Sequence, residues 1–176
     1  LPSRSQFITP VQGGGVAIYD LNTRTLLHKI DGWLETNVTA LTSSPDEAIL
    51  YVGLNIGKVL IIATATGEIL DSHQIDYVDS GILSSNEAIR SMVASSDGSK
   101  IAIAFERSVS VWNITDWSLN RKAVNDWHDF LKVVFTTDND SVIAATAYEV
   151  YQLNLQSGEF EITYSLPSHA TLVALA

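Results

Sequence analysis

Apolar residues in this chain come in short runs separated by clusters of turn residues, and helical periodicity is nearly absent. Val38-Thr39-Ala40-Leu41 leads into Ser43-Ser44-Pro45-Asp46-Glu47. Ile89-Arg90-Ser91-Met92-Val93 leads into Ser95-Ser96-Asp97-Gly98-Ser99. Leu131-Lys132-Val133-Val134-Phe135 leads into Thr136-Thr137-Asp138-Asn139-Asp140. Each run reads as a strand entering a turn that favours Asp, Asn or Gly, whose side chains or φ tolerance suit the bend. Val38, Ile89 and Leu131 stand 51 and 42 residues apart, and Leu172 follows 41 residues later.

The rest of each unit repeats as well. Second strands are expected at 49–52, 100–105 and 142–146, and third strands at 59–62, 109–112 and 149–153, with an earlier copy at 16–21. Fourth strands are expected at 68–70, 120–124 and 159–164, with an earlier copy at 26–30. Turns such as Thr66-Gly67 and Ser157-Gly158 separate the third from the fourth. Four strands per unit of roughly 40 residues is the signature of β-propeller blades, which bury their faces by stacking on neighbours. The predicted fold is therefore all-β, with three complete blades over about 38–75, 89–124 and 131–166. Residues 6–30 and 170–176 would add strands of flanking or closing blades, Thr171–Leu175 being a first strand. Three blades and a remainder suggest part of a larger propeller, so its cut edges should be covered by further chain or by another subunit. Residue 1 is not Met, which fits a chain processed or cut from something longer.

The turn Ser95 to Ser99, followed by Ile101-Ala102-Ile103-Ala104 and Val109-Ser110-Val111-Trp112-Asn113, resembles a blade of the WD-repeat family. Tyr19-Asp20 and Trp112-Asn113 stand where that family has its Trp-Asp pair, Tyr151-Gln152 is a weaker copy, and Ile62-Ala63 departs from it. His128 and His169 each precede a first strand by three residues, where the family often has Gly-His, but neither follows a glycine. The family's buried hydrogen-bond tetrad is thus incomplete in every blade. By this resemblance His128, His169, Trp112 and Asp97 are structural residues, Trp112 belonging to the core. The resemblance implies a non-catalytic scaffold that holds proteins together inside the cell, in cytoplasm or nucleus. Leu50-Tyr51-Val52 with Thr66-Gly67-Glu68 also resembles YVTN-type and quinoprotein-type propellers, which leaves a ligand- or cofactor-binding enzyme as the alternative.

Composition narrows the choice. Twenty Asp and Glu against ten Lys and Arg give a net charge of −10, which argues against nucleic acid as the main partner. It favours a protein partner with a basic surface, and no run of 18 apolar residues predicts a membrane span. With no cysteine there is no disulfide, thiolate metal site or cysteine nucleophile. No Gly-x-Ser-x-Gly, P-loop or His-Glu-x-x-His pattern occurs, and Gly13-Gly14-Gly15 precedes a strand rather than a helix, so neither a catalytic residue nor a cofactor is predicted. His128 lies beside Asp126 and Asp129, yet its place before a first strand points to a structural hydrogen bond.

The docking residues come from loops. The longer interval between Val38 and Ile89 implies an insertion of nine or ten residues in the link carrying Asp71, Asp76, Asp79 and Glu87. Trp33 and Trp127 precede first strands, where exposed aromatics serve as anchors. Trp33, Asp76, Asp79, Trp127 and Asp129 are therefore the candidate protein-binding residues.

Overall fold

The computed structural model describes residues 5–12, 14–31, 36–75, 77–79, 82–84, 87–125, 129–165 and 167. These residues form strands and turns, in two compact units, Leu1–Glu87 and Ala88–Ala176.

In the first unit, β1 (Gln6–Pro10), β2 (Gly15–Asp20) and β3 (Thr25–Asp31) form a three-stranded antiparallel sheet in chain order. A four-stranded sheet follows from β4 (Val38–Ser43), β5 (Ile49–Leu54), β6 (Lys58–Ala63) and β7 (Ile69–Gln74). The short strands β8 (Tyr77–Asp79) and β9 (Ile82–Ser84) then pair with each other. The second unit holds two more four-stranded meanders. One is β10 (Ser91–Ala94), β11 (Lys100–Ala104), β12 (Ser108–Asn113) and β13 (Leu119–Val124). The other is β14 (Lys132–Phe135), β15 (Ser141–Ala145), β16 (Glu149–Asn154) and β17 (Phe160–Ser165).

Burial explains the order of strands. The second and third strands of each sheet are β-branched and almost wholly buried, as in Ile101 to Ala104 and Val109 to Val111, because both of their faces are covered. The fourth strands are edges and largely exposed, β7 and β17 most of all. In the first unit, Val16, Ile18 and Ile30 of the first sheet pack on Leu50, Val52, Leu60 and Ile62 of the second. In the second unit, Ala102, Ala104, Val109 and Val111 pack on Val133, Val142, Ala144, Tyr151 and Leu153. At ~25 cal/mol per Å² of buried apolar surface, these seams outweigh any single hydrogen bond in joining the sheets.

Every complete sheet turns from its first strand to its second with one device. The hydroxyls of Ser44, Ser95 and Thr136 donate to the aspartate two residues on, Asp46, Asp97 and Asp138, at 2.5, 2.6 and 2.6 Å. Each hydroxyl also accepts the backbone N–H five residues ahead, at 2.9 to 3.1 Å. The residue after the aspartate is left-handed: Glu47, Gly98 and Asn139 have φ of 57°, 71° and 60°.

Three expectations change. The fourth strand of the second sheet runs Ile69–Gln74, beyond the expected 68–70, which puts Asp71 in the strand rather than in the link. As an edge strand it needs no buried stripe, so its Asp-Ser-His-Gln half gave no apolar signal. The inserted link carries the β8–β9 pairing, so it is more than a loop. The third-strand copy in the last sheet is Leu153-Asn154, two residues later than Tyr151-Gln152. Its Asn154 N–H closes the turn on Glu159 O at 2.9 Å, as Asn113 does on Ser118 O and Ala63 on Glu68 O. The last sheet also has its β-bulge two residues early, between Val150 and Tyr151. The strand Thr171–Leu175 lies outside the described residues.

Candidate protein-docking surface

Of the residues singled out from sequence, Trp33, Asp76, Trp127, His128 and His169 lie outside the described residues, as do Asp126 and Leu172. Asp79 ends β8 and pairs in register with Ile82. Asp129 is exposed in the segment leading into β14. Asp97 is the turn residue its sequence context implies. It accepts from the Ser95 and Ser99 hydroxyls and from the Ser99 N–H at 2.9 Å, and these bonds hold its carboxyl down to about 2. Trp112 is a correction. It is half-buried rather than part of the core, and its indole N–H donates to Ser110 Oγ at 2.8 Å. A third-strand position next to the bulge and turn lies at the rim of the sheet, where indole finds a polar partner.

The turn ends are acidic, but their carboxylates are engaged. Asp20 accepts from the Thr23 and Asn22 N–H groups, and Asp116 from the Ser118 hydroxyl and N–H. Asp20, Asp116 and Asp138 are all held below the usual carboxylate range, chiefly by those bonds. These aspartates complete turns first and carry surface charge second.

The second seam contains polar contacts that the sequence reading missed. Asn139, in the turn of the last sheet, accepts the Ser96 N–H at 3.1 Å and donates to the Ser96 hydroxyl at 2.8 Å. Arg121 donates to the Gln156 carbonyl at 3.0 Å. Asn125 donates to the Tyr151 hydroxyl at 2.9 Å, and that hydroxyl donates to Glu149. Burial, then the Glu149 carboxylate, push the Tyr151 phenol up to about 12, so it stays protonated and donating. In the first seam, His28 Nε2 bonds the Ala65 carbonyl at 3.0 Å. His28 and Arg121 occupy the same fourth-strand register, opposite Ile18 and Val111, so aligning fourth strands could have revealed this pair.

A cavity of about 250 Å³ lies between β1 and the β4–β5 hairpin, lined by Phe7, Ile8, Leu41 and Leu50 among others. Among the described residues no group of three acids or histidines is placed to hold a metal, and no helix is long and apolar enough to cross a membrane.

No protein family matches the sequence by profile, and no curated protein matches it. Solved structures do. Sqt1 of Saccharomyces cerevisiae superposes over 96% of this chain with a TM-score of 0.79 at 20% identity. The Cps50 (Swd1) β-propeller domain of Myceliophteria thermophila superposes over 97% with a TM-score of 0.73 at 18% identity. The chain spans about half the length of each, 47% and 54%. The repeated four-stranded meanders and these two likenesses agree on one architecture: the chain has the fold of a WD-repeat-like β-propeller.

Proposed function

We propose that the chain is a non-catalytic protein-interaction scaffold, working inside the cell as one part of a larger propeller or assembly. The observation that carries the proposal is the inserted pair β8–β9 between the second and third sheets, which presents Asp79. A β-meander needs only a short link at that point. Additional ordered chain there costs conformational entropy, which binding a partner offsets. The net charge of −10 selects a basic partner surface. Trp33 and Trp127 would supply aromatic anchors beside the acidic link, with Asp129 next to the latter. The blade units 38–75, 89–124 and 131–166 form the rigid body that carries these loops, and its terminal sheet faces are covered by further chain or another subunit.

The test is to change charge without disturbing the sheets. Partners captured by the wild-type chain are identified and purified, and their affinity is compared with that for Asp76→Lys/Asp79→Lys. Reversal of two rim charges should weaken binding about tenfold or more, mostly at low salt, with an unchanged melting temperature. Unchanged affinity would place the docking surface elsewhere.

A further inference from the structure

Every sheet has two faces, and the register identifies which residues share each. On the face the third sheet turns to the fourth lie Val93, Ala102, Val111 and Arg121 in one row, and Ser91, Ala104, Val109 and Ala123 in the next. The fourth sheet repeats these rows on its far side as Val134, Ile143, Gln152 and Glu161, and Lys132, Ala145, Val150 and Tyr164. Ala102, Ala104, Val109 and Val111 are fully buried, whereas Val134, Ile143 and Val150 are only half-buried and Tyr164 is 57% exposed. The first sheet is open on its opposite face. Phe7 stands where the second sheet has Leu50, and the two are 52% and 2% exposed. Tyr19, half-buried, stands where the second sheet has the fully buried Ile62.

The covered seams show what sits opposite the fourth-strand register. A Cβ on Gly67 would meet His28 at 3.2 Å, and one on Gly158 would meet Arg121 at 3.6 Å. Both glycines are the left-handed residue of the next sheet's last turn, with φ of 72° and 78°. The residue in this place in the first sheet is the exposed Arg24, φ 57°. The residue at the latch register of the last sheet is Glu161, also exposed. The last sheet's open face and the first sheet's open face are therefore complementary in apolar content and opposite in charge at the point where neighbouring sheets touch.

We infer that the open face of β14–β17 is occupied by the first sheet of a second copy of this chain, with Glu161 of one copy against Arg24 of the other. This deepens the proposal that the terminal faces are covered by further chain or another subunit, and rests on it. Two copies joined head to tail at both ends use the same contact twice and close without a free face. Two copies also restore the length of the propellers that this chain half spans.

Light scattering on the eluting 176-residue chain should give a mass about twice 19.2 kDa. Glu161→Arg alone, and Arg24→Glu alone, should each raise the dimer dissociation constant about tenfold, since each places like charges in two seams. The combined swap, Glu161→Arg with Arg24→Glu, should return it to within about threefold of wild type. Both positions are exposed, and equal melting temperatures at high dilution confirm that the variants fold. A 19.2 kDa monomer overturns the inference, as does a ladder of open polymers or a swap that fails to rescue. A monomer leaves the scaffold proposal standing, because that is judged on partner affinity after Asp76→Lys/Asp79→Lys, and unchanged affinity there leaves the dimer measurement untouched.

Discussion

The two pairs of sheets are built from the same strand pattern but joined differently. The seam of the first pair is aliphatic: Val16, Ile18, Leu50, Val52, Leu60 and Ile62 meet, and His28 on the Ala65 carbonyl provides a polar bond across them. The seam of the second pair has small residues on one side, Ala102, Ala104 and Ala123, and a ring cluster on the other. Phe130 meets Tyr151 and Phe160 edge-on at 5.7 and 6.1 Å, and Tyr151 stacks on Phe160 at 5.0 Å. Around that cluster sit the Asn139–Ser96, Arg121–Gln156 and Asn125–Tyr151–Glu149 contacts. Aliphatic burial is non-directional and fixes how tightly two sheets approach. Edge-on rings and hydrogen bonds are directional and fix which atoms meet. The lesson is that a repeat can hold its strands constant and vary the specificity of its joints.

The most damaging change should be Phe130→Ala. The ring is fully buried in the second seam, and its loss removes burial, leaves a cavity and orphans two ring partners. About 3–5 kcal/mol of unfolding free energy should disappear in urea titrations. Phe130→Leu should still cost more than Leu50→Met in the first seam, where about 1 kcal/mol or less is expected because the partners there are aliphatic. Equal costs for the two conservative changes would show that ring geometry adds nothing to the joint.

How far the sequence foretold this molecule follows the same division. Buried strands were legible, since a β-branched run between Asp-rich or Gly-rich turns has few alternatives, and β5, β11 and β12 were read nearly to their ends. Edge strands were not, because β7 needs no apolar stripe, so Asp71 was read as link. The third-strand pair in the last sheet was misplaced because Tyr151 mimics an aromatic of the Trp-Asp position, while the turn bond of Asn154 sets the true register. The polar joints were invisible because they connect residues 35 and 43 apart whose pairing depends on sheets already stacked. Trp33, Asp76 and Trp127 could be chosen from sequence only by their loop positions.

A smaller effect should separate the first-to-second strand turns. Ser95 is fully buried and its hydroxyl serves Asp97, the Lys100 carbonyl and the Lys100 N–H. Ser44 makes the same bonds from a half-buried site, and its bond to the Ile49 carbonyl is long at 3.4 Å. Ser95→Ala should cost about 1–3 kcal/mol by leaving buried backbone groups unsatisfied, and Ser44→Ala less, because water can replace part of what is lost. Thermal melts of the two variants side by side make the comparison, and a larger loss at Ser44 would reverse the ranking of the two turns.

The smallest effect belongs to acid. In the folded chain the Asp97 carboxyl is held at about 2, first by the Ser95 hydroxyl and then by the Ser99 N–H. In the unfolded chain it titrates near 4. A depressed folded value means that the ionised form binds fewer protons in the native state. Its contribution is therefore complete above about pH 4 and is lost as pH falls towards 2. The group is largely exposed, so solvent screening keeps the contribution below about 1 kcal/mol. Asp116 and Asp138 shift the same way in the second pair of sheets, and Asp20 does so in the first. Urea midpoints of wild type and Asp97→Asn should thus differ at pH 6 and converge as pH approaches 2. Hydrogen exchange at the Ser99 amide should lose protection over the same interval. Parallel midpoints from pH 6 to pH 2 would mean that the turn holds through its hydroxyl and backbone bonds alone, and that the charge on Asp97 faces solvent without supporting the fold.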